Sequence, residues 1–260
     1  MLKELIALYK QPSYDQSDIP KIRQIILDAL TPLGYIDTVD SKGNLFMYHP
    51  ESTCNTLLCA HMDMVKTGEP ICNVMQFNGI LMGLDKDNNL TSLGADDKNG
   101  VWLCMQAAKH SGVRPSLLFV AHEEGHPHTV DDFIVEYGDA LQDYDCCLVL
   151  DRANANEIIY KGSYNDYSAL LACQFKKCNP DWKFAKGIMC DADRLIKYMP
   201  CINLSIGYHN GHSVEEFTII DELLGAKKAL FNFLKQTEQE KNTIDWNVIQ
   251  EFNETEKKGL

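Results

Sequence analysis

Thr56-Leu57-Leu58-Cys59-Ala60-His61-Met62-Asp63 is a short apolar run that ends abruptly on an imidazole and a carboxylate. Two later stretches have the same form. Leu117-Leu118-Phe119-Val120-Ala121 runs into His122-Glu123-Glu124, and Cys147-Leu148-Val149-Leu150 runs into Asp151. Short apolar runs of this kind read as buried strands. Helical stretches such as Gly100 to His110 separate them, and that rhythm predicts an α/β fold with a mixed central sheet flanked by helices. In such open sheets the crevice beyond the carboxyl ends of the strands is where ligands bind. His61, Glu123, Glu124 and Asp151 are therefore expected to converge on one site although dozens of positions separate them.

Working outward, Leu2, Leu5, Ile6 and Tyr9 recur at helical spacing until Pro12, and Ile19, Ile22, Ile25, Ile26 and Leu30 form a second stripe. Two N-terminal helices follow. Between Tyr35 and His49 the turn tetrad Ser41-Lys42-Gly43-Asn44 predicts a hairpin that opens the sheet. Toward the C-terminus, Tyr164 to Phe175 reads as a strand, Asp191 to Tyr198 as a short helix, Ile202 to Gly207 as a buried strand and Glu215 to Leu234 as a long helix. A polar tail begins at Gln236, and its end from Glu254 to Leu260 is expected to fray. Residues 1–260 read as one domain, with 162–199 as a short insertion or an extension of the sheet.

Composition narrows the function classes. Apolar residues at 45% and charged residues at 23% are ordinary for a protein with a packed core. A formal net charge of −13 argues against a nucleic-acid partner, which needs clustered Lys and Arg. A site built from several carboxylates is neutralised instead by divalent cations. The ten cysteines are scattered, so free thiols are expected, with Cys59, Cys104, Cys146 and Cys147 packing as small hydrophobes. Neither an export signal nor a run of about eighteen apolar residues is visible, which predicts no membrane partner and a cytoplasmic location. Gly94-Ala95-Asp96-Asp97-Lys98 lacks the spacing of a phosphate loop.

One histidine or carboxylate at a strand end is ordinarily a solvated loop residue. Several together are different, because mixed imidazole and carboxylate donors suit zinc, and also cobalt or manganese. His61-Met62-Asp63, Gly94-Ala95-Asp96-Asp97-Lys98-Asn99-Gly100, Glu123-Glu124-Gly125, Leu150-Asp151 and Gly207-Tyr208-His209-Asn210-Gly211-His212-Ser213 resemble, in order, the motifs of the co-catalytic zinc exopeptidases. That superfamily includes peptidase T, the glutamate-type zinc carboxypeptidases, aminoacylase and the single-domain zinc aminopeptidases.

The resemblance implies the zinc-exopeptidase (phosphorylase/hydrolase-like) fold and two bound divalent ions, zinc in the first place, with cobalt or manganese as alternatives. It implies that Asp96 bridges them, that His61 and Asp151 complete one ion, and that Glu124 and His212 complete the other. Glu123 would be the general base, Asp63 would fix the His61 tautomer, and Asp97 would shape the backbone rather than bind metal. His122, His126 and His128 receive no role. Tyr208 and His209 are candidates for touching substrate oxygen, Trp102 and Met105 read as a packing face, and Lys98 reads as a surface or capping lysine.

Asp151 and His212 are only 61 positions apart, which leaves little room for the lid domain that many relatives insert there. The expected activity is cleavage of amide bonds in short peptides by an aminopeptidase or dipeptidase. N-acyl amino acid deacylation and carboxypeptidase action are alternatives. So is a non-catalytic metal- or peptide-binding relative, against which Glu123 argues, since a binding protein has no use for a base. Side-chain preference and oligomeric state are not readable.

Overall fold

The computed structural model describes residues 2–125, 128–160, 166–188 and 190–239. In chain order the elements are helices α1 (Leu2–Tyr9) and α2 (Ile19–Leu30); strands β1 (Ile36–Val39), β2 (Leu45–Tyr48), β3 (Thr56–His61), β4 (Asn73–Phe77), β5 (Ile80–Leu84) and β6 (Leu90–Thr91); and helix α3 (Ala95–His110). Then come β7 (Ser116–Val120), α4 (Val130–Leu141), β8 (Cys146–Arg152), β9 (Glu157–Ile159), α5 (Asp166–Cys178), β10 (Lys183–Ala185), α6 (Ala192–Leu195), β11 (Cys201–Ser205), β12 (Tyr208–His209), β13 (Phe217–Ile219) and α7 (Ile220–Gln239).

Eight strands form the main sheet in the order β1-β2-β7-β3-β8-β11-β9-β10. Its centre is parallel, β7 and β8 flanking β3 and β11 pairing with β8, while β2 and β9 join antiparallel. Alternate residues of each central strand go to opposite faces, as the pleat requires. Leu58, Ala60, Leu117, Phe119, Leu148 and Leu150 pack with residues of α1, α2, α3, α5 and α7, whereas Leu57, Cys59, Leu118, Val120, Cys147 and Val149 pack with α4 and α6. The result is a sheet between two helical layers, which is why its strands read as continuous apolar runs.

Two readings of the sequence need correction. Residues expected to form a strand from Tyr164 to Phe175 instead form α5, from Asp166 to Cys178. The segment from Ser168 to Cys173 is buried throughout, so it lacks the polar face that marks an amphipathic helix. The helix expected from Glu215 begins at Ile220, because Phe217–Ile219 is spent as a strand. Within the stretch expected to be an insertion or sheet extension, β10 pairs with β9 of the main sheet and α5 packs on β11 and α7.

A second, smaller sheet runs β12-β13-β5-β4, with β6 pairing β5. Its tight hairpin turns on Asn78 and Gly79, both at positive φ, which is the turn chemistry of an Asn-Gly pair. This sheet matters because β12 leads directly into the loop that carries His212. His126 and the tail from 240 onward lie outside the described residues. Among the described residues no helix is long and apolar enough to cross a membrane.

Candidate metal centre

Adjacent parallel strands deliver the site. His61 ends β3 and lies level with Val120 of β7, so the chain leaving β7 brings Glu123 and Glu124 alongside it; Asp151 is on the C-terminal part of β8, the neighbour on the other side. The chain places β7 on one side of β3 and β8 on the other, so His61 stands where the strand order reverses, the usual place for a ligand crevice. Asp96 comes from the start of α3, which packs on β3 and β8. That close packing needs Gly100, where any Cβ would collide with the Leu150 carbonyl oxygen. His212 arrives from the loop after β12 and holds a left-handed backbone, φ 61°, an uncommon conformation outside glycine.

Asp96 stands in the middle. Its Oδ1 lies 3.2 Å from His61 Nε2, whose other neighbour is Asp151 Oδ1 at 3.5 Å. Its Oδ2 lies 3.3 Å from His212 Nε2, which also meets Glu124 Oε1 at 2.6 Å. One carboxylate thus faces two separate imidazole-and-carboxylate pairs, one through each oxygen. The glutamates diverge: Glu124 groups with Asp96 and His212, whereas Glu123 groups with Asp151 and Cys190, and both come within 4.8 Å of His61.

Surrounding groups hold this arrangement. The Asp63 Oδ1 is 3.1 Å from His61 Nδ1 and accepts the Glu123 N–H at 2.9 Å, while its Oδ2 accepts the Glu124 N–H at 3.1 Å. Asp97, fully buried, accepts the His61 N–H at 2.9 Å and the Gly100 N–H at 3.0 Å; the Asp96–Asp97 peptide bond is cis. Glu216 accepts hydrogen bonds from Ser92 Oγ, Gly94 N and Asp96 N at 2.8, 2.6 and 3.0 Å. At the other side, Asn44 of the first hairpin accepts the Ala121 N–H at 2.7 Å, fixing the strand end ahead of Glu123.

The electrostatics are those of a crowded acidic crevice. Burial and then the Asp96 carboxylate push Asp151 up to about 7, and burial, with Asp96 adding to it, does the same to Glu124. Burial opposes charge on Asp96 too, but hydrogen bonds with His212 and His61 hold it well below the usual carboxylate range. The hydrogen bond to Asp96 raises His212 to about 9. Burial disfavours a charged His61, yet Asp151, Asp63 and Asp96 carry it well above the usual imidazole range. Like charges packed this closely want a counter-charge of higher valence. The donor set of nitrogen and oxygen in two groups fits a pair of divalent ions such as zinc, cobalt or manganese.

One neighbour differs from expectation. Lys98 is no surface lysine: it is fully buried, donates to the Gln11 carbonyl at 2.6 Å, and burial lowers it to about 7. His209 pairs with Glu222 at 2.6 Å and stacks on Phe217. Tyr208 is buried, and its ring lies against Gly211 in the His212 loop. His122 Nδ1 is 3.6 Å from Asp63 Oδ2. Trp102 and Met105 are fully buried core residues. Two groups escaped the sequence reading. Glu216 follows His212 by four positions, a spacing that offered a weak signal; Cys190, in an irregular loop, offered none.

The architecture is an α/β domain that shares its fold with solved peptidase structures. The chain is similar to a tripeptidase of Staphylococcus aureus (TM-score 0.73, 14% identity, covering 92% of this chain and 98% of that one). It is also similar to the aminopeptidase PepT of Bacillus cereus (0.69, 12%, 91% and 98%). A Thermotoga maritima protein described as an endoglucanase matches at 0.62 and 14%, covering 95% and 99%. At these identities the likeness establishes the fold, and function has to be argued from the site. No family model and no curated protein matches the sequence.

Proposed function

We propose that the chain is a two-metal exopeptidase that cleaves amide bonds of short peptides, of the aminopeptidase or small-peptidase kind. The observation that carries this reading is Asp96, one buried carboxylate whose two oxygens face His61 with Asp151 and His212 with Glu124. His61, Asp96 and Asp151 would hold one ion, and Asp96, Glu124 and His212 the other, with zinc suited by the mixed donors and cobalt or manganese as substitutes. Two divalent ions bound there would lower the pKa of a water and polarise a substrate carbonyl.

The protein's own part is orientation and proton transfer. Glu123 is tied through its backbone to Asp63 and groups within 4.8 Å with His61 and with Asp151, which supports its carboxylate as the base that takes the proton of the attacking water and passes it to the leaving amine. Asp63 orients the His61 ring through Nδ1, which leaves Nε2 to face Asp96 and Asp151. His212 is half exposed and marks the mouth, while His61, at 1% exposure, marks the floor. The described part of residues 162–199 pairs and packs with the main sheet, which supports a single domain with an open mouth rather than one capped by a lid. A short peptide could then enter with one terminus first. The peptidase descriptions of the Staphylococcus and Bacillus structures support the substrate class.

Elemental analysis of protein purified without chelator, followed by assay on di- and tripeptides, aminoacyl amides and N-acetyl amino acids, tests the proposal. Two ions per chain and turnover of the peptides are expected. Fewer than one ion after zinc or cobalt is supplied, or no hydrolysis by a fully loaded protein, would refute it.

A further inference from the structure

We infer that Cys190 is a thiolate ligand of the ion held by His61 and Asp151, a soft donor added to a site otherwise made of nitrogen and oxygen. The inference rests on the two-ion reading and extends it to a residue outside the motifs that suggested that reading. Cys190 Sγ, a Glu123 carboxylate oxygen and an Asp151 carboxylate oxygen all lie within 4.8 Å of one another. Sulfur at about 2.3 Å and oxygen at about 2.1 Å from one tetrahedral zinc stand about 3.6 Å apart, inside the 4.8 Å that bounds the pair of Cys190 and Asp151.

The loop is arranged toward the same place. Cys190 holds a left-handed backbone, φ 49°, at the step between β10 and α6. The next residue, Asp191, is 3% exposed, and its Oδ1 has no hydrogen-bond partner among the described residues. A thiol grouped with Glu123 and Asp151 is thus followed directly by a buried carboxyl with one unpartnered oxygen. Among the ten free cysteines of the chain, Cys190 is the one grouped with other potential ligands among the described residues.

Ligation would proceed by loss of the Cys190 thiol proton to solvent as the sulfur–metal bond forms, so that loading releases one proton more than it does without this residue. A thiolate favours zinc and cobalt over magnesium or manganese, and so narrows the metal the site accepts.

Cobalt(II) reports the ligand directly, since a thiolate adds a near-ultraviolet charge-transfer band that nitrogen and oxygen donors do not. Metal-free protein titrated with cobalt should develop this band. Cys190→Ser should bind cobalt without it, while Cys72→Ser, altered at an exposed cysteine, should keep it. Should Cys190→Ser fail to fold, alkylation of the unaltered protein identifies the sulfur: bound cobalt should slow iodoacetamide at Cys190 about tenfold or more and leave Cys72 unchanged. Two bound cobalt ions with no band, a band that survives in Cys190→Ser, or an alkylation rate at Cys190 that cobalt does not change would overturn the thiolate ligand and leave the two-ion site standing. No cobalt binding at all would overturn both.

Discussion

Glu216 accepts the backbone N–H of Asp96 at 3.0 Å across 120 positions of sequence. The same carboxylate, 1% exposed, also takes Gly94 N and Ser92 Oγ, so one buried side chain from the His212 side of the site sets the turn that aims Asp96. Glu216→Gln keeps the size but turns one acceptor oxygen into a donor facing N–H groups. Metal affinity should fall about 10- to 100-fold, the usual consequence of losing an outer partner of a ligand. Competition with a chelator of known affinity measures this, and unchanged affinity would show that Glu216 serves the fold alone.

The two halves of the site should be separable. Asp151→Ala removes a group that faces His61, whereas Glu124→Gln alters one that faces His212. Each variant should retain about one ion per chain where the parent holds two, because each leaves the opposite pair and Asp96 in place. Loss of both ions in both variants would mean a single cooperative site.

Much of this could be read from the chain, for physical reasons. Parallel strands buried on both faces must be apolar without interruption, so β3, β7 and β8 announced themselves, and the residues that ended them were necessarily at the crevice. The α5 helix was misread by the same logic: buried almost all round between Ser168 and Cys173, it shows no period to tell it from a strand. The small sheet had a legible signal in Asn78-Gly79, yet its outer strand β4 is mostly exposed. Burial of Lys98 and the approach of Cys190 to Asp151 depend on how distant loops settle, and no local pattern encodes either.

Lys98 makes the protein's stability depend on pH. A lysine with a folded pKa near 7 and an unfolded one near 10.4 is protonated in the unfolded chain but not in the folded one between those values. Stability should therefore rise with pH from about 7 to about 10, by up to about 1.4 kcal/mol per pH unit, with the full penalty present below 7. Urea unfolding of metal-free protein should show this slope, and Lys98→Met should flatten it. Equal slopes in the two proteins would contradict a buried, readily neutralised Lys98.

Phe175 anchors α5, its ring 5.1 Å from that of Trp182 and 5.5 Å from that of Phe233. Fully buried and distant in function from the metal ligands, it should contribute to stability alone. Phe175→Ala is expected to cost about 3–5 kcal/mol in denaturant unfolding while the surviving folded protein keeps its metal content. A cost below about 1 kcal/mol would mean that α5 is not part of the core.

Glu123 separates an enzyme from a metal-binding protein, since it stands beside the proposed ligands without being needed to complete either set. The decisive measurement is the turnover of Glu123→Gln relative to the parent on its best peptide, at matched metal content. Removing a general base should lower kcat about 10²- to 10⁴-fold, with two ions still bound. A Glu123→Gln protein that hydrolyses the peptide at the parent rate would contradict the proposed chemistry.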